Sequence, residues 1–286
     1  MQGKILTSRY GVYTVFAEGQ IRECKPRGIL RLQGQKPSVG DEAEIDPVDL
    51  TITRILPRKN VLIRPLVANL DLLIIVHSVV EPAFSSLLID KFLTYAHHQN
   101  IPPHVILTKV DRLKDRSQLL LSIQRLEKLG VKVTLFSKKT GEGLQEVKDL
   151  LSGRVSALMG QTGVGKSSLL NTVAPDFQRQ IGEYSQALGR GKHQTKEVIL
   201  LPFGSGFVAD TPGFSSLELD MTKEDVAHDF PGIGELALQC KYADCLHQDE
   251  KDCAVKKAVH EGRIDVENYD NYLKLINELP FRKTRY

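Results

Sequence analysis

The chain has 286 residues, 41% hydrophobic and 26% charged, which is enough apolar material for a core and enough length for two domains or three small ones. That balance excludes an intrinsically disordered chain, while the formal net charge of +3 decides little by itself. No apolar run approaches the ~20 residues of a membrane span. The opening MQGKILTSRYGVY lacks the apolar segment of a secretory signal. The expectation is a cytoplasmic protein with no membrane partner.

Residues 1–64 alternate Ile, Leu, Val and Tyr with polar residues, punctuated by Gly11, Gly19, Gly28, Gly34 and Gly40. About five short strands with turns fit a small barrel of the oligonucleotide-binding (OB) kind, with an SH3-like barrel as the competitor. Pro57 and Pro65 bracket a linker. Residues 1–36 carry seven Lys and Arg against Glu18 and Glu23, and an acidic block follows from Asp41 to Asp49. A basic face beside an acidic one suits a polyanionic partner such as RNA, or is ordinary solvated charge.

Residues 65–218 change rhythm. LDLLIIVHSVV, PHVILTK, VKVTLFS, RVSALMG, EVILLP and GFVADTPG read as buried strands. Helical patterns lie between several of them, at 84–100, 115–129, 144–151 and 166–173. Alternating strand and helix predicts a largely parallel α/β sheet with helices on both faces. Ligands in such sheets bind beyond the carboxyl ends of the strands.

The first motif at such an end is Thr108-Lys109-Val110-Asp111. An aspartate placed there can accept hydrogen bonds from guanine N1–H and N2–H₂, a donor pair that adenine lacks, with the Lys109 stem packed across the ring. About 25 residues on, Ser137-Lys138-Lys139 follows another strand and can offer a backbone N–H to the guanine carbonyl. Next comes Gly160-Gln161-Thr162-Gly163-Val164-Gly165-Lys166-Ser167, followed by Ser168, which matches GxxxxGK[ST] between a strand and a helix. Glycines let backbone N–H groups curl around phosphate oxygens, and the helix N-terminus adds partial positive charge. Lys166 is expected to reach the β and γ phosphates and Ser167 to ligate Mg²⁺. In LGRGKHQTKEV, Thr195 is the hydroxyl expected to close on Mg²⁺ from a mobile loop. In Asp210-Thr211-Pro212-Gly213, Asp210 can hold Mg²⁺ through water and the Gly213 N–H can bond the γ-phosphate. The order is base motif, base motif, phosphate loop, Thr loop, DTPG, a circular rotation of the usual GTPase order.

Residues 219–286 read as helix, cysteine cluster, helix. Cys240-x4-Cys245-x-His247-x5-Cys253 gathers three thiolates and an imidazole within 14 residues, a donor set for one tetrahedral, structural Zn²⁺. Such clustering in a reducing compartment points to metal before disulfide. Cys24 stands apart and reads as a small buried residue.

With TKVD, GQTGVGKSS, GRGKHQT, DTPGF, the basic barrel and the cysteine cluster in place, the whole chain resembles the bacterial ribosome small-subunit-dependent GTPase A family. That family consists of circularly permuted GTPases. The resemblance implies an α/β, circularly permuted P-loop GTPase domain between an OB-like barrel and a helical zinc-binding domain. It implies GTP hydrolysis stimulated by the small ribosomal subunit, in late maturation of that subunit and in contact with its rRNA. Two positions depart from the family pattern. Thr108 replaces the usual Asn, which is expected to weaken the bracing of the loop while leaving Asp111 in place. Gln194 takes the first Thr position of the mobile loop. Phe214 occupies the place where many GTPases carry a water-orienting Gln, so His193 is the candidate for that task, alongside Lys166 as a catalytic group. The alternative is a nucleotide-gated RNA-binding module with negligible hydrolysis. A monomer is expected.

Overall fold

The computed structural model describes residues 1–175, 198–210 and 221–279, with Asp210 described by its backbone alone. Five strands form the N-terminal barrel: β1 (Gln2–Arg9), β2 (Val12–Ala17), β3 (Gln20–Pro26), β4 (Glu42–Ile45) and β5 (Thr51–Ile55), with a short helix α1 (Gly28–Leu32) between β3 and β4. The barrel closes in the order β1-β2-β3-β5-β4. The β3–β5 pair is parallel and the other pairs are antiparallel. A five-stranded closed barrel with this crossover is of the OB kind, and the SH3-like competitor falls away. Alternate residues point inward, as a period of two requires. Ile5, Tyr13, Val15, Ala43, Ile45 and Ile52 fill the interior, with Leu30 from α1 as a plug, and Cys24 is buried among them.

The stretch bracketed by Pro57 and Pro65 is tied down rather than a free linker. Val61–Leu62 (β6) pairs antiparallel with Val67–Ala68 (β7), and Leu62, Val67 and Ala68 are fully buried. Its side chains hold both neighbours. Asn69 reaches the Gly40 carbonyl at 3.1 Å, and Asn60 bonds the Leu70 backbone at both its N–H and its C=O. Arg58 grips the fully buried Asp41 with both ends of its guanidinium.

A six-stranded sheet follows, ordered β10-β9-β8-β11-β13-β12. Its strands are β8 (Leu72–Ser78), β9 (Pro103–Thr108), β10 (Lys132–Phe136), β11 (Val155–Met159), β12 (Ile199–Phe203) and β13 (Gly206–Asp210). All pairs are parallel except β12–β13. The continuous apolar run of β8 has the pattern of a strand covered on both faces. Leu73, Ile75, Val105 and Leu107 face one core with Phe92 and Leu93 of α2 (Ser86–His98) and Leu126 of α3 (Ser117–Lys128). Leu72, Ile74, Val76 and Ile106 face the other core, with Val147 and Leu151 of α4 (Leu144–Leu151) and Leu169 of α5 (Lys166–Val173). The barrel docks on the β12–β13 edge, where Phe16 meets Phe207 edge-to-face at 5.7 Å.

The C-terminal part contains α6 (Lys223–Asp229), α7 (Gly234–Ala237), α8 (Ala254–His260) and α9 (Val266–Glu278). Helix α6 begins with a reciprocal capping box between Thr222 and Asp225. Helix α9 packs on α2 through a buried polar knot. Arg125 of α3 pairs in two-pronged fashion with Asp90 of α2, at 2.9 and 3.0 Å. It also donates to Asn268 of α9 at 2.9 Å, and Asn271 donates to Asp90 at 2.7 Å. No helix among the described residues is long and apolar enough to cross a membrane.

Candidate nucleotide site and metal centre

The phosphate loop joins the central strand β11 to α5, so the sheet aims it at the crevice beyond the strand ends. Gly160 approaches the neighbouring strand so closely that a Cβ there would lie 2.2 Å from the Val76 carbonyl oxygen. Gly165 sits at φ +101° immediately before α5, a backbone region that favours glycine. Val164 is buried and anchors the loop, while Thr162, Gly163, Ser167 and Ser168 are exposed and Gln161 is half-buried. Lys166 folds back over the loop and donates to Gly160 O at 2.6 Å and Gln161 O at 2.9 Å. Burial pushes its ammonium below the ordinary lysine range.

The first base motif leaves β9, the second strand over from β11. Lys109 adopts the left-handed conformation (φ 62°), which turns the chain into the short 3₁₀ segment Val110–Arg112. Its Nζ then reaches Gly163 O at 2.8 Å and the Glu81 carbonyl. Thr108 is buried, with Oγ1 2.6 Å from Val164 O and 3.3 Å from His77 O. The Thr108 hydroxyl, though shorter than an Asn amide, donates to the phosphate-loop backbone.

The second base motif follows β10. The Ser137 hydroxyl donates to Asp111 Oδ1 at 2.6 Å and accepts from the N–H groups of Lys139 and Thr140. That bond from Ser137 holds the Asp111 carboxyl below the usual carboxylate range. An ionised, acceptor-only carboxylate is the form suited to a pair of N–H donors. Beside these loops, Arg116 and Glu142 form an ion pair that sequence reasoning did not single out.

Thr108, Lys109, Asp111, Lys138 and Lys139 line one cleft of about 750 Å³ together with Gly165 and Ser168 of the phosphate-loop region. The two base motifs and the phosphate-loop region, through Gly165 and Ser168, therefore line one cavity although they lie far apart in the chain. His193, Gln194, Thr195, Gly213 and Phe214 lie outside the described residues, as does the side chain of Asp210. His77 and His104 sit within strands, and His97 and His98 lie in the last turn of α2; none of the four reaches the cleft.

Cys240, Cys245, His247 and Cys253 come together with all four donor atoms within 4.8 Å of one another. Cys240 Sγ lies 3.8 Å from Cys253 Sγ, and His247 Nδ1 is 3.5 and 3.4 Å from those two sulfurs. A tetrahedral ion with M–S bonds of ~2.3 Å would space its ligands by roughly 3.8 Å, so the donors fit Zn²⁺. Tyr269 and Tyr272 support the loop by donating to the carbonyls of His247 and Leu246, both at 2.6 Å. Burial pushes the Cys245 thiol up to about 12, so thiolates here need a neighbouring cation.

Comparison with known proteins agrees with this geometry. The RsgA GTPase family model matches residues 55–220, and the RsgA N-terminal domain model matches residues 2–53. The small ribosomal subunit biogenesis GTPase RsgA of Geobacillus sp. (strain WCH70) is 41% identical over 291 residues, covering 100% of this chain and 99% of its own. That of Shouchella clausii (strain KSM-K16) is 42% identical with the same coverage. Among solved structures, YjeQ from Thermotoga maritima superposes with a TM-score of 0.83 at 37% identity, over 99% of each chain. YloQ, described as a circularly permuted GTPase, gives 0.81 at 34% identity, over 100% of this chain and 96% of that one. The chain belongs to the RsgA family of circularly permuted GTPases.

Proposed function

We propose that this GTPase acts in biogenesis of the small ribosomal subunit, binding the subunit and its rRNA and hydrolysing GTP in response. The observation that carries the nucleotide part is the single cleft shared by Asp111 and the phosphate loop. Asp111 accepts from the guanine edge. The Lys109 stem covers the ring, and the Ser137-Lys138-Lys139 backbone meets the guanine carbonyl. Backbone N–H groups from Gly160 to Ser168 surround the phosphates, and Lys166 releases its loop carbonyls to neutralise them. Thr195, Asp210 and Ser167 would hold Mg²⁺, which supplies charge neutralisation on the phosphates when bound. The Gly213 N–H bonds the γ-phosphate, and His193 orients the attacking water.

Cys240, Cys245, His247 and Cys253 would hold one structural Zn²⁺, whose chemistry is to fix the loop that carries them. The barrel (1–64) and the zinc-binding domain (219–286) flank the GTPase domain (65–218) and supply the RNA-contacting surfaces of a cytoplasmic monomer. The names carried by the relatives support the partner, and the basic N-terminal stretch supports the rRNA contact. GTP turnover titrated with purified small and large ribosomal subunits tests the reading. Acceleration by the small subunit alone is expected. Turnover that neither subunit changes would overturn it and leave a nucleotide-gated RNA-binding module.

A further inference from the structure

The Ser137–Asp111 bond ties the two base loops, and a second tie runs beside it. Arg116 precedes α3 on the chain leaving the first motif, and Glu142 lies in the turn leaving the second. They meet fork to fork, Nη1 to Oε1 at 2.7 Å and Nη2 to Oε2 at 2.9 Å. Each partner is also anchored to a motif. Arg116 Nη2 lies 3.4 Å from the carbonyl of Val110, the residue before Asp111. The Glu142 carbonyl accepts from the Ser137 N–H at 3.0 Å, and Ser137 is the residue that holds Asp111. The pair therefore links the backbone behind Asp111 to the backbone of Ser137.

Neither side chain lines the cleft. Both are about one-third exposed, at 36% and 34%, so solvent screens their attraction and raw stability is a poor reason for the pair. A two-pronged Arg–carboxylate contact contributes geometric specificity beyond its energy. Charge points the same way. Arg116 holds Glu142 below its ordinary range while the Asp111 charge pushes in the opposite direction. Removing the guanidinium would leave Glu142 exposed to the Asp111 charge without its own counter-ion.

We propose that Arg116 and Glu142 are a positioning pair that fixes the spacing of the two base loops, and that this spacing sets discrimination for the 2-amino group of guanine. The inference rests on Asp111 as the acceptor of the base. Its test compares GDP with IDP, which lacks the 2-amino group, and with ADP, by fluorescence titration of the full chain. Arg116→Gln and Glu142→Gln are each expected to weaken GDP binding by about tenfold, IDP by about threefold or less, so the GDP-to-IDP ratio falls. Arg116→Lys keeps the charge without the fork and is expected to fall in between. In steady-state turnover the loss is expected in KM for GTP rather than in kcat. Should Arg116→Gln fail to fold, Glu142→Gln and Arg116→Lys carry the test. A GDP-to-IDP ratio that stays within about twofold of wild type in the folded variants overturns the proposal, and so does an equal loss of both nucleotides. If the unmodified chain binds ADP as well as GDP, the assignment of Asp111 fails first, and the pair falls with it.

Discussion

Lys109 Nζ donates to the carbonyl oxygen of Gly163 across 2.8 Å, so a side chain of the base motif holds the backbone of the phosphate loop. Thr108 makes a parallel tie to Val164. These contacts span 54 and 56 residues of chain, yet they tie the base motif directly to the phosphate loop. Motifs far apart in the chain are held side by side because β9 and β11 stand two places apart in one sheet.

The Thr108 tie has a direct consequence. Thr108→Val keeps the shape and removes the donor, leaving the Val164 carbonyl unpaired. An unsatisfied buried acceptor costs ~1–3 kcal/mol, so GDP affinity is expected to fall by about tenfold. Thr108→Asn, which restores a donor, is expected to bind close to wild type. Titration with a fluorescent GDP analogue distinguishes the variants, and a valine variant indistinguishable from wild type would show that the hydroxyl contributes nothing to the loop.

The Arg125–Asp90 knot ties α3 and α2 to α9 in a nearly dry setting, with Asp90 at 0% and Arg125 at 6% side-chain exposure. Arg125→Met strands the Asp90 carboxylate and the side-chain oxygen of Asn268, and the expected loss is ~3–5 kcal/mol of unfolding free energy in urea titrations. The double variant Arg125→Met/Asp90→Leu removes both charges and is expected to recover much of that loss. A double variant no more stable than the single would locate the cost in packing instead.

Metal analysis of purified protein is expected to give about one zinc per chain, falling close to zero in Cys245→Ser, whose remaining donors leave a tetrahedral site open. Hydrogen exchange should then quicken in residues 240–253 while the barrel strands stay protected. Undiminished zinc in the variant would place the metal elsewhere.

Two buried histidines set an acid limit. Burial lowers the pKa of both His77 and His104 to about 4. His77 Nε2 accepts the Ser85 N–H at 3.0 Å, a bond that only the neutral ring can make. The folded-state values lie below the unfolded value, so the unfolded chain binds more protons between them. The stabilisation is complete above about pH 6.5 and is lost as pH falls from there through about 4, on the order of 3 kcal/mol at most for His77. Urea midpoints measured across that range should show a shallower pH slope in His77→Phe than in wild type. Identical slopes would mean that the ring does not titrate with folding.

Local signatures were the legible ones. The phosphate loop announces itself because the strand, the glycines and Lys166 are adjacent in the chain, and the barrel because alternation repeats every second residue. The Cys3His cluster was readable because its four donor residues fall within 14 residues. Arg116 and Glu142, 26 residues apart, and Arg125 and Asn268, 143 apart, carry no such pattern. Charged side chains are mostly solvated, so only the fold reveals which of them meet. The segment around Pro57 and Pro65 shows the same limit: prolines mark turns, while the burial of Leu62 and Val67 against the body appears only in the fold.

Nucleotide preference measured side by side for wild type and Asp111→Asn tests the shared cleft most directly. Wild type is expected to bind GDP well ahead of XDP. The asparagine variant, which presents a donor where the carboxylate accepted, is expected to reverse that order. Retention of the wild-type preference by Asp111→Asn, or equal binding of ADP and GDP by the unmodified chain, would contradict the assignment of this cleft to guanine.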